Sequence, residues 1–274
     1  MPRLRHDADL HALVAVRGHP FDRTAFDAMF QAMPGISATM VDQPAAALLM
    51  NPRGMRDFDV LVLYDMPGID LTAKPSDRFM LPPPRALRDG MRRLLDCGKG
   101  VVALHHALAG WPAWDEYADW LGGRFLYRPG RYRGRRVPDS GYRHAVTHEV
   151  SVVADHPVTA GLPLHFEMTD ELYLAEVDDK AVTPLLRSSH AFTADNFWSA
   201  TAALDGRVDS NDGWAHPAGS DLIGWRKRAR RSPLVYLQPG DGPTAYDDPN
   251  YRRLLENALR WAASTEALDW ARSG

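Results

Sequence analysis

Residues 98–110 read GKGVVALHHALAG, and this stretch decides the fold. The apolar run at 101–104 has no polar position and is too short for a helix, so it reads as a strand buried on both faces. Gly98 suits the end of a preceding helix. That helix is legible upstream, where Leu87, Met91, Leu94 and Leu95 share one face. Downstream, Trp114, Tyr117, Ala118 and Leu121 form another stripe, closed by Gly122-Gly123. Helix, buried strand, helix is the pattern of a parallel sheet covered on both faces.

The alternation continues toward the N-terminus. Residues 11–16 (HALVAV) read as a strand, followed by a helix stripe at Phe26, Met29, Phe30 and Met33. Asp22 or Thr24 can cap that helix and Pro34-Gly35 stops it. Further strands are expected at 38–42 and 59–64, with a proline-rich loop at 81–85. From 124 to 149 the pattern dissolves into a Gly-, Arg- and Pro-rich stretch. Short strands are expected at 150–153, 171–175, 182–187, 199–204, 222–225 and 234–238. Asp248-Pro249 opens a last helix carrying Leu254, Leu255, Ala258, Leu259 and Ala262. No internal repeat or linker interrupts this order. The expectation is a single α/β domain over 1–274, with its core at about 11–263 and a long irregular middle insertion.

Composition narrows the function class. Hydrophobic residues make up 45% and charged residues 24% of the 274, which excludes a disordered, collagenous or coiled-coil chain. The single cysteine, Cys97, excludes an internal disulfide and a thiolate zinc cage. No apolar run is long enough to span a membrane. The charged N-terminal segment, 1–9, is followed by too short an apolar run for a secretory signal, so the cytoplasm is the expected compartment. A net charge of −3 argues against general nucleic-acid binding.

In open parallel sheets ligands bind beyond the carboxyl ends of the strands. Those ends carry Arg17-Gly18-His19, Asp65, His105-His106 and the loop Gln238-Pro239-Gly240-Asp241-Gly242. The turn after VVAL is where related α/β enzymes present a serine or cysteine nucleophile. Here a histidine stands there, and Cys97 lies at the far end of the strand. In FEMTDELYL (166–174), Asp170 and Glu171 sit among apolar residues with Tyr173 close by. A carboxylate in such surroundings needs a partner or its pKa rises, as a general acid, a base or a metal ligand requires. His144 and His148 have the spacing of a helical zinc pair, but Gly141 and the strand that follows oppose a helix. His156, His190 and His216 have loop-like contexts. Arginines 124, 128, 131, 133, 135 and 136 form one basic stretch, and residues 226–231 another. Both suit solvated faces, and Tyr127 and Tyr132 within the first would also suit an anionic or sugar ligand or a subunit contact. No GxxxxGK[ST] or GxGxxG follows a strand, so no nucleotide cofactor is inferred.

Several segments taken together resemble the ThuA-like (trehalose-utilization) family. They are GKGVVALHHA, LGGRF at 121–125, HPVTAGLP at 156–163, DELY at 170–173 and GPTAYDDPNYRRLLENALRWA at 242–262. The resemblance implies a flavodoxin-like, class I glutamine amidotransferase-like three-layer sandwich and a role in carbohydrate metabolism, chiefly of trehalose and related oxidised disaccharides. It carries His105, Glu171 and the His156-Pro157 pair onto the family's motifs, and places His19 where members often have a polar residue. Many members have a histidine between the glycines where this chain has Asp241.

The expected function is therefore an enzyme acting on a sugar or oxidised disaccharide by hydrolysis, lyase or isomerisation chemistry. His105 is expected as general base or ligand and Glu171 as its partner. His19, His106, Asp65, Tyr173 and Asp241 are expected to contact substrate. A divalent metal could be held by His105, Glu171 and Asp241, the oxygen donor favouring a harder ion. The alternative is a non-catalytic sugar-binding or regulatory protein on the same scaffold. The expected partner is a small-molecule sugar or derivative, not nucleic acid or membrane, with a homodimer suggested by aromatic residues and the irregular segment.

Overall fold

A computed structural model describes residues 7–273; residues 1–6 of the charged N-terminal segment lie outside the described residues. The first half runs β1 (Leu10–Val16), α1 (Arg23–Gln31), β2 (Ile36–Asp42), α2 (Ala45–Leu49), β3 (Val60–Leu63), α3 (Arg85–Asp96), β4 (Gly100–Leu104) and α4 (Asp115–Leu121). The middle holds β5 (Gly123–Arg124), β6 (Gly130–Tyr132), β7 (Arg135–Val137), β8 (Gly141–Val152), β9 (His165–Leu174), β10 (Glu176–Val177), β11 (Thr183–Ser188), β12 (Trp198–Ser199) and α5 (Ala200–Leu204). The chain closes with β13 (Leu222–Ala229), β14 (Ser232–Leu237), α6 (Pro243–Asp247), α7 (Pro249–Ala262) and α8 (Thr265–Arg272).

The expected parallel sheet forms the centre, in the order β14-β4-β3-β1-β2. Antiparallel strands β13, β11, β8 and β12 extend it beyond β14, and β9 pairs with β8 off that path. Helices α1 and α7 bury Phe26, Met29, Phe30, Leu254, Leu255 and Leu259 against one face. Helices α3 and α4 bury Leu87, Met91, Leu94 and Leu121 against the other. Each such side chain stabilises the sandwich by roughly 1.5–3 kcal/mol. Asp22, rather than Thr24, caps α1 by accepting from the Ala25 amide.

The middle departs from the expectation: β6 and β7 form a hairpin within the stretch expected to be irregular, and β9 begins at His165, ahead of the expected 171. The strand expected at 150–153 begins far earlier, at Gly141, so that 141–149 are strand and not irregular chain; a bulge between Arg143 and Val146 hides its alternation. Residues 200–204 are a short helix, not a strand, because the Ser199 hydroxyl caps it by accepting from the Ala202 amide. Strand β13 continues through the basic residues 226–228, where Arg226 and Arg228 lie over the Trp270 ring. Among the described residues no helix is long and apolar enough to cross a membrane.

All five parallel strands point the same way, so the ends of β1, β3, β4 and β14 share one edge. Strand order reverses beside β1, and this switch point is where a crevice opens in such sheets.

Candidate active site

Strand β4 ends in a sharp elbow at His105, whose φ of +34° is left-handed for a non-glycine residue and costs about 1–3 kcal/mol. The surroundings hold it there. The Tyr236 hydroxyl donates to the His105 carbonyl at 3.2 Å. The His105 ring is fully buried. Its Nδ1 meets the Gln238 carbonyl oxygen at 2.5 Å and its Nε2 meets Glu171 Oε2 at 2.8 Å. Both partners are oxygen acceptors, so both ring nitrogens donate and the ring is an imidazolium. Burial works against that charge, but the bond to Glu171 and the nearby Asp241 outweigh it and hold the pKa above its ordinary value.

Glu171 comes to the elbow from β9. Opposite it, the bulge of β8 places two residues, His144 and Ala145, where a regular ladder would have one. Ala145 takes a φ of +51° to allow this. The bulge turns His144 away from the face that buries Val146 and Val150, and toward the pocket. His144 Nδ1 lies 2.9 Å from Glu171 Oε1. Glu171 thus has one oxygen on a buried imidazolium and the other on a half-exposed imidazole. Burial opposes its charge, yet these two bonds hold its carboxyl below the usual range. The same bond raises the pKa of His144.

The loop after β14 is pinned by Asp170, the neighbour of Glu171. Its carboxylate accepts from the amides of Gly240 at 2.6 Å, Asp241 at 3.2 Å and Glu171 at 2.9 Å. The hydroxyls of Tyr64 and Tyr246 both lie 3.0 Å from the Asp241 carbonyl and 2.6 Å from each other, so Tyr64 donates to Tyr246 and Tyr246 donates to the carbonyl. The Asp241 side chain therefore points inward. Its Oδ1 is 3.3 Å from His106 Nε2 and 3.6 Å from His105 Nε2. Burial works against the Asp241 charge, but these two histidines hold its pKa below the usual range. The His106 ring is fully buried, and neither nitrogen makes a geometrically sound hydrogen bond. Burial depresses its pKa to about 3, so it is neutral. The His19 ring packs against it, tilted by 36°, with ring centroids 3.9 Å apart.

His19, His144 and Glu171 border a pocket of about 280 Å³, and His105, His106 and Asp241 lie behind them. His19, His144, Glu171 and Tyr173 give it one chemically active wall, and Phe125, Tyr127 and Tyr142 supply aromatic faces. The Tyr173 ring also lies 4.5 Å from that of His105. Of the residues expected from sequence, His19, His105, His106, Glu171, Tyr173 and Asp241 are brought together here. Asp65 is not: its buried carboxylate accepts from Gln43 Nε2 at 2.6 Å instead. Burial raises its pKa to about 6.

His156 accepts from the Val158 amide and packs against Trp261 of α7, outside the pocket. His144 and His148 lie on a strand and part company, His148 pairing with Ser188 at 2.9 Å. Cys97 caps α3 at the opposite end of β4. In the first basic stretch Arg124 and Arg128 pair with the exposed carboxylates of Asp115 and Asp205, and Arg133 and Arg135 with the largely buried ones of Asp178 and Glu176. The sequence did not single out Gln238 as the acceptor that fixes His105, nor Asp170 as the anchor of the loop. The adjacency of Asp170 and Glu171 was the available signal, since consecutive strand residues face opposite ways.

Among curated proteins none matches the sequence. Solved structures share the fold. A putative ThuA-like protein from Bacteroides uniformis is 18% identical with a TM-score of 0.62, covering 96% of this chain and 95% of its own. Another from Parabacteroides merdae is 14% identical with a TM-score of 0.63, covering 93% and 90%. The model of the ThuA family, described as trehalose utilisation, matches residues 18–262, from just after β1 through the elbow, β8, β9 and the closing loop to the end of α7. The chain belongs to the ThuA family.

Proposed function

We propose that this protein is an enzyme that performs acid–base chemistry on a sugar or oxidised disaccharide, with His144 as the proton-transfer group and Glu171 as its positioning partner. One observation carries this reading: Glu171 joins a buried imidazolium, His105, to a half-exposed imidazole, His144, at the pocket wall. An acid that orients a histidine and stabilises its charged form is the arrangement used in many proton-transfer enzymes. His105 has both nitrogens committed, so its part is to hold Glu171 in place and ionised. With Nδ1 of His144 on Glu171, Nε2 is the nitrogen left to exchange a proton with substrate. Tyr173, Tyr142 and Phe125 offer faces for a sugar ring. A proton taken beside a carbonyl, or given to a leaving oxygen, would serve lyase, isomerase or hydrolase chemistry alike.

The second reading, a sugar-binding protein without turnover, is favoured by the absence of a serine or cysteine at the elbow. One experiment separates them. Trehalose and carbonyl-bearing oxidised trehalose are incubated with the native protein and with His144→Ala, and products are followed by mass spectrometry alongside calorimetric binding. The enzyme reading expects turnover that falls about 100- to 10,000-fold in the variant, with affinity changed only a few-fold. Binding of either sugar without any turnover supports the second reading and overturns the first.

A further inference from the structure

Beside the His105–Glu171–His144 chain lies a second cluster, His19, His106 and Asp241. Each offers one ligand atom, and these atoms all lie within 4.8 Å of one another. We propose that His19, His106 and Asp241 form a binding site for one divalent transition-metal ion at the inner end of the pocket. The inference is independent of the acid–base reading.

Three observations carry it. His106 is fully buried, its Nδ1 has no hydrogen-bond partner, and its Nε2 has the Asp241 carboxylate at 3.3 Å without good hydrogen-bond geometry. An orphaned buried imidazole is costly unless something not supplied by the protein satisfies it. Next, His19 Nδ1 donates to the Pro20 carbonyl at 2.8 Å. That bond fixes the tautomer and leaves Nε2 with a bare lone pair, the usual preparation of a metal-binding histidine. Finally, Asp241 is held from behind: its amide is bound to Asp170, and its carbonyl is held by the hydrogen-bonded hydroxyl pair of Tyr64 and Tyr246. Its carboxylate is therefore directed before any ligand arrives.

The alternative trio of His105, Glu171 and Asp241 also lies within that distance. It is the weaker cradle, because both His105 nitrogens already donate to Gln238 and Glu171. Two neutral imidazoles and one carboxylate suit zinc or ferrous iron, not magnesium or calcium. Three protein ligands leave room for water or a substrate oxygen, and His19 itself borders the pocket.

The test uses full-length protein stripped with chelator and titrated with Zn²⁺ by calorimetry and with Co²⁺ by visible absorption. The expected result is one equivalent of either ion, with Co²⁺ giving ligand-field bands of four- or five-coordinate geometry. His19→Ala, in a half-exposed loop, should weaken binding by about 100-fold or more. Asp241→Asn should do the same, and far-UV circular dichroism checks that each variant is folded. His144→Ala should bind normally. Absence of saturable binding by the native protein overturns the site. So does binding that survives His19→Ala but is lost in Glu171→Gln, which would place the ion in the other trio. These readouts need no turnover, so failure of the metal site and failure of the acid–base reading are seen separately.

Discussion

His105 Nε2 and Glu171 Oε2 lie 66 positions apart along the chain and meet at 2.8 Å in the interior. The imidazole comes from the turn after a parallel strand and the carboxylate from an antiparallel strand beyond the sheet's centre. Both side chains are almost completely buried. Breaking a buried ion pair from one side leaves an uncompensated charge. His105→Ala should therefore destabilise the protein by about 3–5 kcal/mol. The double variant His105→Ala/Glu171→Gln should lose less than the two single losses combined. Urea unfolding of the three variants checks this; a loss below about 1 kcal/mol for His105→Ala would show that the pair is not ionic.

The His144 titration depends on Glu171. The bond to that carboxylate is the main cause of its raised pKa. Glu171→Gln should lower the value toward or below the ordinary 6.5, as NMR titration of the imidazole ring would record. The sign for stability follows from the raised folded-state value. The contribution of the pair is fully present below the unfolded pKa and fades as pH rises through the folded one. Because His144 is half exposed, the stability change should be small beside the change in titration. An unmoved midpoint in Glu171→Gln would contradict the contact.

Asp65 should respond to pH in the opposite way from a surface carboxylate. Burial raises its pKa from 3.8 to about 6, so the folded state binds the proton more tightly than the unfolded chain. Its destabilising effect is full above about pH 6 and is relieved as pH falls toward 4. Asp65→Asn keeps an acceptor for Gln43 and removes the charge. It should raise stability at pH 7.5 by about 1–3 kcal/mol, and the advantage should shrink near pH 4. Thermal unfolding at the two pH values decides it; equal gains at both would show that charge burial is not the cause.

Gly240 controls where Asp241 points. Its φ is +123°, and a Cβ there would come within 2.2 Å of the Tyr251 hydroxyl. Gly240→Ala should cost about 1–3 kcal/mol in backbone strain and shift the loop. The companion Asp170→Asn would weaken the same loop by giving up charge-assisted bonds to the amides of Gly240 and Asp241. Both should reduce the proposed turnover and the proposed Co²⁺ binding by more than their losses in thermal stability would account for. Unaltered turnover and metal binding in both variants would mean that the loop carries no functional group.

By itself the sequence determined the sheet's centre. Continuous apolar runs such as VVAL can only be strands buried on both faces, and the stripes of α1, α3, α4 and α7 must cover them. That places Gly18-His19, His105-His106 and Gly240-Asp241 at one edge, because parallel strands put their carboxyl ends together. What only the tertiary structure decided is which of these side chains meet, and with what charge. The pairing of Glu171 with His144 rests on one extra residue in β8, a bulge that moves the histidine from the core side to the pocket side. Alternation along a strand cannot reveal such a shift, since it is fixed by the register with a partner strand some 25 positions away. In the same way, the sealing of Asp65 against Gln43, and the contrast between a fully bonded His105 and an unpartnered His106, depend on carbonyls and carboxylates that reach these rings only when the chain has folded.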